Sequence, residues 1–170
     1  LDAIAVGTGP GNFTGIRIGV SAARGLALGL GIPSVGVNAF ERLHQGFGYP
    51  GRVYISVPAP RGKAYLQLFI NGVSQSKPVV TTPGIFDDAI LQPNMVFAGY
   101  AAEALAQPYG AMFDKSPFDM DTPEAIASLI LHIGTNKLDE AAAAPPAPLY
   151  VKPADAAPAS DPPPVILDDA

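Results

Sequence analysis

A glycine-rich turn near the amino terminus carries residue types that could bind an anion. Gly9, Gly11 and Asn12 lie between an apolar run that predicts a strand and a long segment that predicts a helix. Backbone amides and the positive end of a helix dipole can hold a phosphate at such a junction. The turn lacks the lysine of a P-loop and the G-x-G-x-x-G pattern of a dinucleotide site. The sequence therefore favours a tight turn with close helix packing, and anion or nucleotide binding is the alternative.

Groups for catalysis or metal binding are sparse. His44 and His132 are the only histidines, and their spacing does not match the H-x-x-x-H pattern of a zinc site on a helix. The carboxylate pairs at 87–88 and at 119 and 121 neighbour turn formers or a helix start, where capping and solvation account for them. The sequence therefore predicts no catalytic residue and no metal site.

The elements that would hold the glycine turn form a regular succession. Residues 1–7 predict a strand, 12–29 a helix and 34–37 a second strand. The short connections make this a βαβ unit, whose crossover implies parallel strands in a sheet that helices cover. Asn38 is predicted to cap a short helix over 39–45.

Antiparallel strands are predicted after a glycine-rich break at 46–51. Alternating apolar residues indicate strands at 52–57 and 64–70, and Asn71-Gly72 indicates a hairpin to a third strand. The later predicted elements are a strand at 94–99, a helix at 101–107, a short strand at 111–113 and a helix from Thr122 to about Ile133.

The carboxy-terminal segment has a different composition. Eight of the 19 prolines follow Asp139, among alanines and aspartates, which predicts an extended or disordered tail. The apolar run 149–152 is the one part of this tail for which we expect order.

The predicted helix at 12–29 is rich in small side chains. Each interior glycine costs a helix about 1 kcal/mol relative to alanine, so close packing must offset the loss. Its polar positions form only one strip, so most of the helix circumference is expected to be buried. One face of a sheet cannot cover so much of a helix. A partner protein, or an amino-terminal part of the same chain, would cover the rest. The predicted small-residue stripe is Gly15, Gly19, Ala22, Leu26 and Gly29.

Composition limits the class of protein. The net charge of −5 makes direct, strong RNA binding a poor expectation, because phosphate binding needs a basic surface. No cysteine is present, so disulfides and thiolate metal sites are excluded, which fits a cytoplasmic location. No apolar run reaches the roughly 18 to 20 residues of a membrane span, and no signal-like segment is evident. Because the chain begins directly in an apolar run, we expect an amino-terminal piece to be missing.

The glycine turn and the start of the helix together match a known family. Residues 2–7, DAIAVG, and 9–19, GPGNFTGIRIG, resemble the characteristic sequence of the bacterial TsaB (YeaZ) family. The likeness extends through 25–27 and Pro33, and 149–153, LYVKP, is similar to the family's closing motif. The middle of the chain is only loosely similar. Asn12 stands where the family usually has Ser, and residues 58–63 replace an Asp-Ala-Arg-Arg-Gly-Glu type of turn.

The resemblance implies an α/β fold of the actin-like ATPase (ribonuclease H-like) class, with two lobes. The family's opening meander with an Asp-Thr-Ser turn has no counterpart here, so the first lobe is expected to be incomplete at its amino terminus. The expected domains are 1–48 for the remainder of the first lobe with the docking helix, 49–138 for the second lobe, and 139–170 for the Pro/Ala-rich tail.

The resemblance also implies a function. TsaB is a non-catalytic scaffold and activator of TsaD, the transferase that adds a threonylcarbamoyl group to the tRNA adenosine beside the anticodon. An ATPase partner resets the complex, so ATP and a metal ion would belong to the partners, and tRNA would be contacted only indirectly. In the family the glycine-rich helix serves homodimerisation and docking on TsaD. This role carries over to Phe13, Gly15, Ile16, Arg17, Gly19, Val20, Ala22, Ala23 and Leu26.

The competing function is an actin-like ATPase or small-molecule kinase. Phosphoryl transfer needs two phosphate-gripping loops and carboxylates that place a metal ion. Here the nucleotide would lie between Gly9-Pro10-Gly11 and a second turn at Gly99, yet the segment 96–101 has no carboxylate. A strand-to-helix turn without ligand is therefore the favoured interpretation of Gly99. A peptidase has no supporting residue pattern.

Overall fold

The structure is a computed structural model that describes residues 1–85, 87, 90, 94–114, 122–141 and 144–151. Its first part confirms the predicted βαβ unit. Strands β1 (Ile4–Gly7) and β2 (Ser34–Val37) pair in parallel, and helix α1 (Phe13–Leu30) connects them. Gly31 ends α1 in the left-handed conformation, at φ 65°, where its N–H donates to the last carbonyls of the helix.

Two helices cover opposite faces of the β1–β2 pair. Val6 faces α1, since a methyl group added to Gly19 would lie 3.9 Å from the Val6 side chain. Ala5 faces helix α4 (Pro123–Asn136), whose Gly134 lies so close that an added methyl group would be 2.7 Å from Ala5 Cβ. Although α4 follows the second sheet in the chain, it therefore packs on the first sheet.

The second sheet is mixed. Its strands are β3 (Arg52–Pro58), β4 (Ala64–Ile70), β5 (Val73–Ser74), β6 (Val79–Thr81), β7 (Val96–Gly99) and β8 (Met112–Asp114). Its strands run in the order β5-β4-β3-β7-β8, and β6 also pairs with β4. The pairs of β4 with β3, β5 and β6 are antiparallel, as expected for a meander, whereas β3 with β7 and β7 with β8 are parallel. Strand β6 was not predicted from the sequence.

Helices cover both faces of the second sheet, because alternate residues of its central strands point to opposite sides. Tyr54 and Phe97 pack in one buried cluster with helix α3 (Ala102–Ala106). Val53, Ile55 and Val96 pack in the other cluster, to which helix α2 (Ala39–Phe47) contributes Phe40 and Leu43. The α/β fold class is thus confirmed.

The predicted caps are present. Asn38 begins α2 with a capping box, in which its side chain accepts from the Glu41 N–H and the Glu41 carboxylate accepts from the Asn38 N–H. Thr122 caps α4 by accepting from the Ala125 N–H. Both helices run further than predicted, by two residues for α2 and about three for α4.

One prediction about the tail is wrong. Residues 139–141 were expected to be extended, but they belong to a short helix, α5 (Leu138–Ala141). The cause is the run of helix-forming Glu and Ala residues before the first proline of the tail. Beyond it, the expected order at 149–152 is confirmed for 149–151, because the Leu149 N–H donates to the Thr8 carbonyl at 2.8 Å. Lys152 lies outside the described residues.

His44, on α2, is partly buried against β4. Its ring stacks on Phe69 with centroids 4.9 Å apart. Its Nε2 atom is buried and has no hydrogen-bond partner in the part of the chain that the structure describes. Burial lowers the pKa of His44, and a hydrogen bond with the Tyr49 backbone opposes this shift only in part.

We predict that protonation of His44 destabilises the fold. Because the pKa is lowered in the folded state, the unfolded chain takes up the proton first as the pH falls below about 6.5, the ordinary value for histidine. The free energy of unfolding should therefore keep this contribution above about pH 6.5 and lose it as the pH falls. Urea unfolding of wild type and His44→Phe between pH 7.5 and 5 measures it, and the variant should gain relative stability toward pH 5. A difference that does not change with pH would contradict this assignment.

Candidate functional site

The glycine turn after β1 is fixed by contacts within the chain. The Asn12 side chain accepts a 2.8 Å hydrogen bond from the Gly15 N–H, so it occupies one of the amides that an anion at this helix end would use. The Gly9 carbonyl accepts from the Ala39 N–H at 2.7 Å. Gly9 has φ 87°, and a methyl group there would lie 2.5 Å from Ile16 Cδ1. These contacts give Gly9 and Asn12 structural roles; anion binding at Gly9, Gly11 and Asn12 stays a prediction.

The second candidate turn has a packing explanation as well. Gly99 has φ 105°, and a methyl group added to it would overlap the backbone carbonyl oxygen of Ser56 on the neighbouring strand. The Tyr100 N–H donates to that same oxygen at 3.1 Å. The fully buried Ser56 hydroxyl lies within hydrogen-bond distance of the Ala98 and Tyr100 carbonyls, at 3.0 and 2.6 Å. Close contact between β3 and β7 therefore accounts for the glycine, and nucleotide binding at Gly99 stays a prediction.

We predict that Gly99→Ala destabilises the fold by about 2 to 4 kcal/mol, because it combines an unfavourable φ with a backbone clash. Gly110→Ala is the matched control, since Gly110 also has a positive φ, 59°, but none of the residues that the structure describes lies within 4 Å of the added methyl group. Its cost should be only about 1 kcal/mol. Denaturant titration of both variants measures the difference, and equal losses would refute the clash.

Helix α1 contacts its own sheet through a narrow stripe. Val20, Ala23 and Ala27 are its buried residues, at 3 to 5 % exposure, and they recur on one face of the helix. Val20 and Ala23, which the resemblance assigned to the docking surface, therefore point into the core. Both side chains are occupied by packing against the sheet, and their docking role stays a prediction.

The opposite side of α1 is exposed and largely apolar. Residues at spacings of three and four form an outer stripe along it, and Leu26 lies beside this stripe, 59 % exposed. Ile18, 65 % exposed, was not among the predicted docking residues, and Gly19 is only partly exposed. The stripe predicted from the sequence thus lies part of a turn away from the most exposed stripe of small residues. The outer stripe consists of Gly15, Ile18, Ala22, Gly25 and Gly29.

The remaining predicted docking residues lie at the start of α1. Phe13 is half exposed and Arg17, one turn later, is exposed, whereas Ile16 is partly covered by its contact with the glycine turn. Gly15 and Arg17 therefore remain at the surface with Phe13, and Ile16 is held mainly by the chain itself.

The glycines of the outer stripe are not required by packing within the chain. At Gly25 and Gly29 an added methyl group would meet no atom of the described residues within 4 Å. At Gly15 its nearest neighbour would be the Asn12 side chain, at an ordinary contact distance of 3.5 Å. Glycine nevertheless weakens the helix at each of these positions. Their small size is therefore unused inside the described chain.

We predict that Gly25→Ala stabilises the chain by about 1 kcal/mol, through helix propensity alone. Gly134→Ala, another glycine-to-alanine change inside a helix, should destabilise it, because its methyl group would lie 2.7 Å from Ala5 Cβ. Thermal unfolding of the two variants should therefore shift in opposite directions. A destabilised Gly25→Ala would show that the chain itself needs this glycine.

The described part of the chain does not bring the other candidate groups together into a site. Among the described residues, no three His, Asp or Glu side chains come together in a way that could hold a metal ion. Of the carboxylate pairs noted in the sequence, Asp88, Asp119 and Asp121 lie outside the described residues.

A cavity of about 230 Å³ opens beside Thr8 and Lys137. The Lys137 ammonium in its wall already pairs with Glu41 at 3.0 Å.

None of the helices in the described ranges combines the length and the apolar character needed to cross a membrane.

Comparison with known proteins gives consistent matches. Residues 1–67 match the family described as "TsaD: tRNA N6-adenosine threonylcarbamoyltransferase". The tRNA threonylcarbamoyladenosine biosynthesis protein TsaB of Escherichia coli (strain K12) is 41 % identical over 68 residues, which are 38 % of this chain and 29 % of that protein. The matched part thus spans less than a third of this relative. An uncharacterized protein of Mycobacterium tuberculosis (strain H37Rv) is 30 % identical over 158 residues, covering 93 % of this chain and 67 % of that protein.

A solved structure shares the fold. It is described as an uncharacterized protein with similarity to peptidase YEAZ from Pseudomonas aeruginosa. The two chains superpose with a TM-score of 0.57 and 25 % identity, over 89 % of this chain and 74 % of the other. This likeness supports the actin-like assignment that the sequence suggested.

Proposed function

Because this chain belongs to the TsaB/YeaZ family, we propose that it is a non-catalytic scaffold that docks through α1 on a TsaD-like transferase. The reaction that it would support is threonylcarbamoylation of the tRNA adenosine beside the anticodon, with the chemistry on the transferase. The name of the E. coli relative, a tRNA threonylcarbamoyladenosine biosynthesis protein, supports this assignment. We propose further that the same helix pairs with a second copy of the chain.

The observation that carries the proposal is the outer stripe of α1. An exposed helix face of glycine, alanine and isoleucine offers no charge for solvation and no bulk to hold a partner away. It permits two helix backbones to approach closely, which compensates the glycine cost only when a second helix is present. The docking surface is then formed by Phe13, Gly15, Arg17, Ile18, Ala22, Gly25, Leu26 and Gly29.

The nature of the partner is suggested by the chain itself. Residues 1–67, which include α1, match the TsaD description. A TsaD-like protein would therefore carry a helix of the same kind after a similar glycine turn. Two such helices can pair as two copies of this chain would pair, across an approximate twofold axis. The homodimer and the complex with the transferase would then use one surface in turn.

The remaining parts of the assignment follow from this role. ATP and any metal ion would belong to the transferase and to an ATPase partner, and tRNA would be reached only through the complex. The complex would operate in the cytoplasm. We also propose the two-lobe division, with 1–48 as the remainder of the first lobe, 49–138 as the second lobe and 139–170 as the tail.

We predict that Ala22→Leu abolishes co-elution of the intact protein with the TsaD-like transferase. Ala22 is exposed in the middle of the outer stripe, so leucine would keep the helices apart while costing the isolated chain little, since leucine is a good helix former. Ala127→Leu is the matched control, because Ala127 is an exposed helical alanine on α4. Size-exclusion chromatography of each variant with the transferase, together with thermal unfolding, makes the comparison.

Three results would count against the proposal. Unchanged co-elution of Ala22→Leu would remove α1 from the interface. Loss of thermal stability in Ala22→Leu, but not in Ala127→Leu, would show that another segment of the same protein covers the stripe. Tight binding of ATP with magnesium to the intact protein alone, measured by calorimetry, would favour the kinase alternative.

A further inference from the structure

A cluster of three side chains joins the start of α1 to the carboxy-terminal segment. The Arg17 guanidinium carbon lies 3.6 Å from the centre of the Phe13 ring and 5.6 Å from that of the Tyr150 ring. Arg17 Nε donates a 2.7 Å hydrogen bond to the Tyr150 hydroxyl oxygen. The two rings are themselves 5.6 Å apart. Arg17 and Tyr150, which are 133 positions apart in the chain, are thus in direct contact at the surface.

The tyrosine in this cluster is anchored by its neighbour. The Leu149 N–H donates to the Thr8 carbonyl at 2.8 Å, at the end of β1. The Leu149 side chain also packs against the buried cluster between α2 and the second sheet. Tyr150 is therefore positioned by the core, although half of its own side chain is exposed.

Arg17 keeps most of its hydrogen-bonding capacity. A guanidinium has five N–H donors, and among the described residues only the Nε donor of Arg17 is used, so both terminal nitrogens have no partner there and can bind a ligand. No carboxylate of the described residues pairs with Arg17, and the side chain is exposed. Stacking and the Tyr150 bond restrict its rotamers in advance, which reduces the entropy lost on binding.

We propose that Arg17, held by Phe13 and Tyr150, binds a carboxylate side chain of the protein that docks on α1. This inference rests on the proposed docking function. A guanidinium fork matches a carboxylate with two parallel hydrogen bonds, which fixes orientation as well as affinity. The net charge of −5 makes an RNA phosphate the less suitable ligand for this surface. The segment 144–151 thereby becomes part of the docking apparatus, through Tyr150.

The test compares three variants of the intact protein for affinity to the TsaD-like transferase by calorimetry. Arg17→Lys keeps the charge but loses the fork, and should weaken binding about tenfold or more. Tyr150→Phe keeps the ring but loses the hydrogen bond to Nε, and should weaken binding by a smaller factor of about three. Arg24→Lys makes the same change at an exposed arginine on the same helix, and should alter affinity less than twofold.

The outcomes separate this inference from the docking function. If Ala22→Leu abolishes binding and Arg17→Lys binds like the wild type, docking stands and the role of Arg17 is overturned. If neither change affects binding, the proposed docking function is contradicted, and the proposal for Arg17 is overturned with it. If Arg17→Lys reduces binding of tRNA to the isolated protein and not of the transferase, a phosphate is the ligand and the carboxylate is excluded. Equal losses for Arg17→Lys and Arg24→Lys would show that the effect is not specific to the guanidinium held by Phe13 and Tyr150, and would overturn the proposal.

Discussion

The narrow contact between α1 and the β1–β2 pair is the constraint on which the rest of the structure depends. Val20, Ala23 and Ala27 bury the helix on its sheet through one stripe of small or branched side chains. Everything on the other side of an 18-residue helix is left outside, including exposed isoleucine and leucine. Apolar residues that are exposed in the isolated chain are accounted for if a second surface covers them. The helix is thus attached firmly at one face and available at the other.

The remaining elements hold this helix in place from several directions. Gly134 lets α4 come against the far side of β1, so the two-stranded sheet is covered on that face although it is small. The turn after β1 is bonded to the start of α2 through Gly9 and Ala39. The carboxy-terminal segment bonds to the same turn at Thr8 and reaches α1 through Tyr150. The start of α1 is therefore supported by residues from both ends of the chain.

Local features of the fold were predictable from the sequence. The βαβ unit follows from apolar runs separated by glycine and proline, and the caps at Asn38 and Thr122 follow from side chains that bond to amides three residues away. The short strand β6 was not recognised, because three residues carry too little periodicity to be distinguished from a loop. The fold class required only these local patterns.

Long-range features were not predictable in the same way. Small residues recur at spacings of three and four on more than one face of α1. The sequence alone therefore selected a stripe that includes Gly19 and does not include Ile18. The return of α4 to the first sheet depends on a close fit between Gly134 and Ala5, which no local pattern encodes. The contact of Arg17 with Tyr150 joins residues that are distant in sequence, so only an ordered patch near 150 could be expected. These choices are made by tertiary packing.

The central claim is that α1 is shaped for the close approach of a second backbone. The most direct measurement is a structure of the intact protein bound to its TsaD-like transferase. We expect a helix of the transferase to lie along the outer stripe of α1, with an interaxial distance at or below about 8 Å, the short end of the range for packed helices. A structure in which another segment of the same protein fills that stripe, or in which the transferase binds elsewhere, would contradict it.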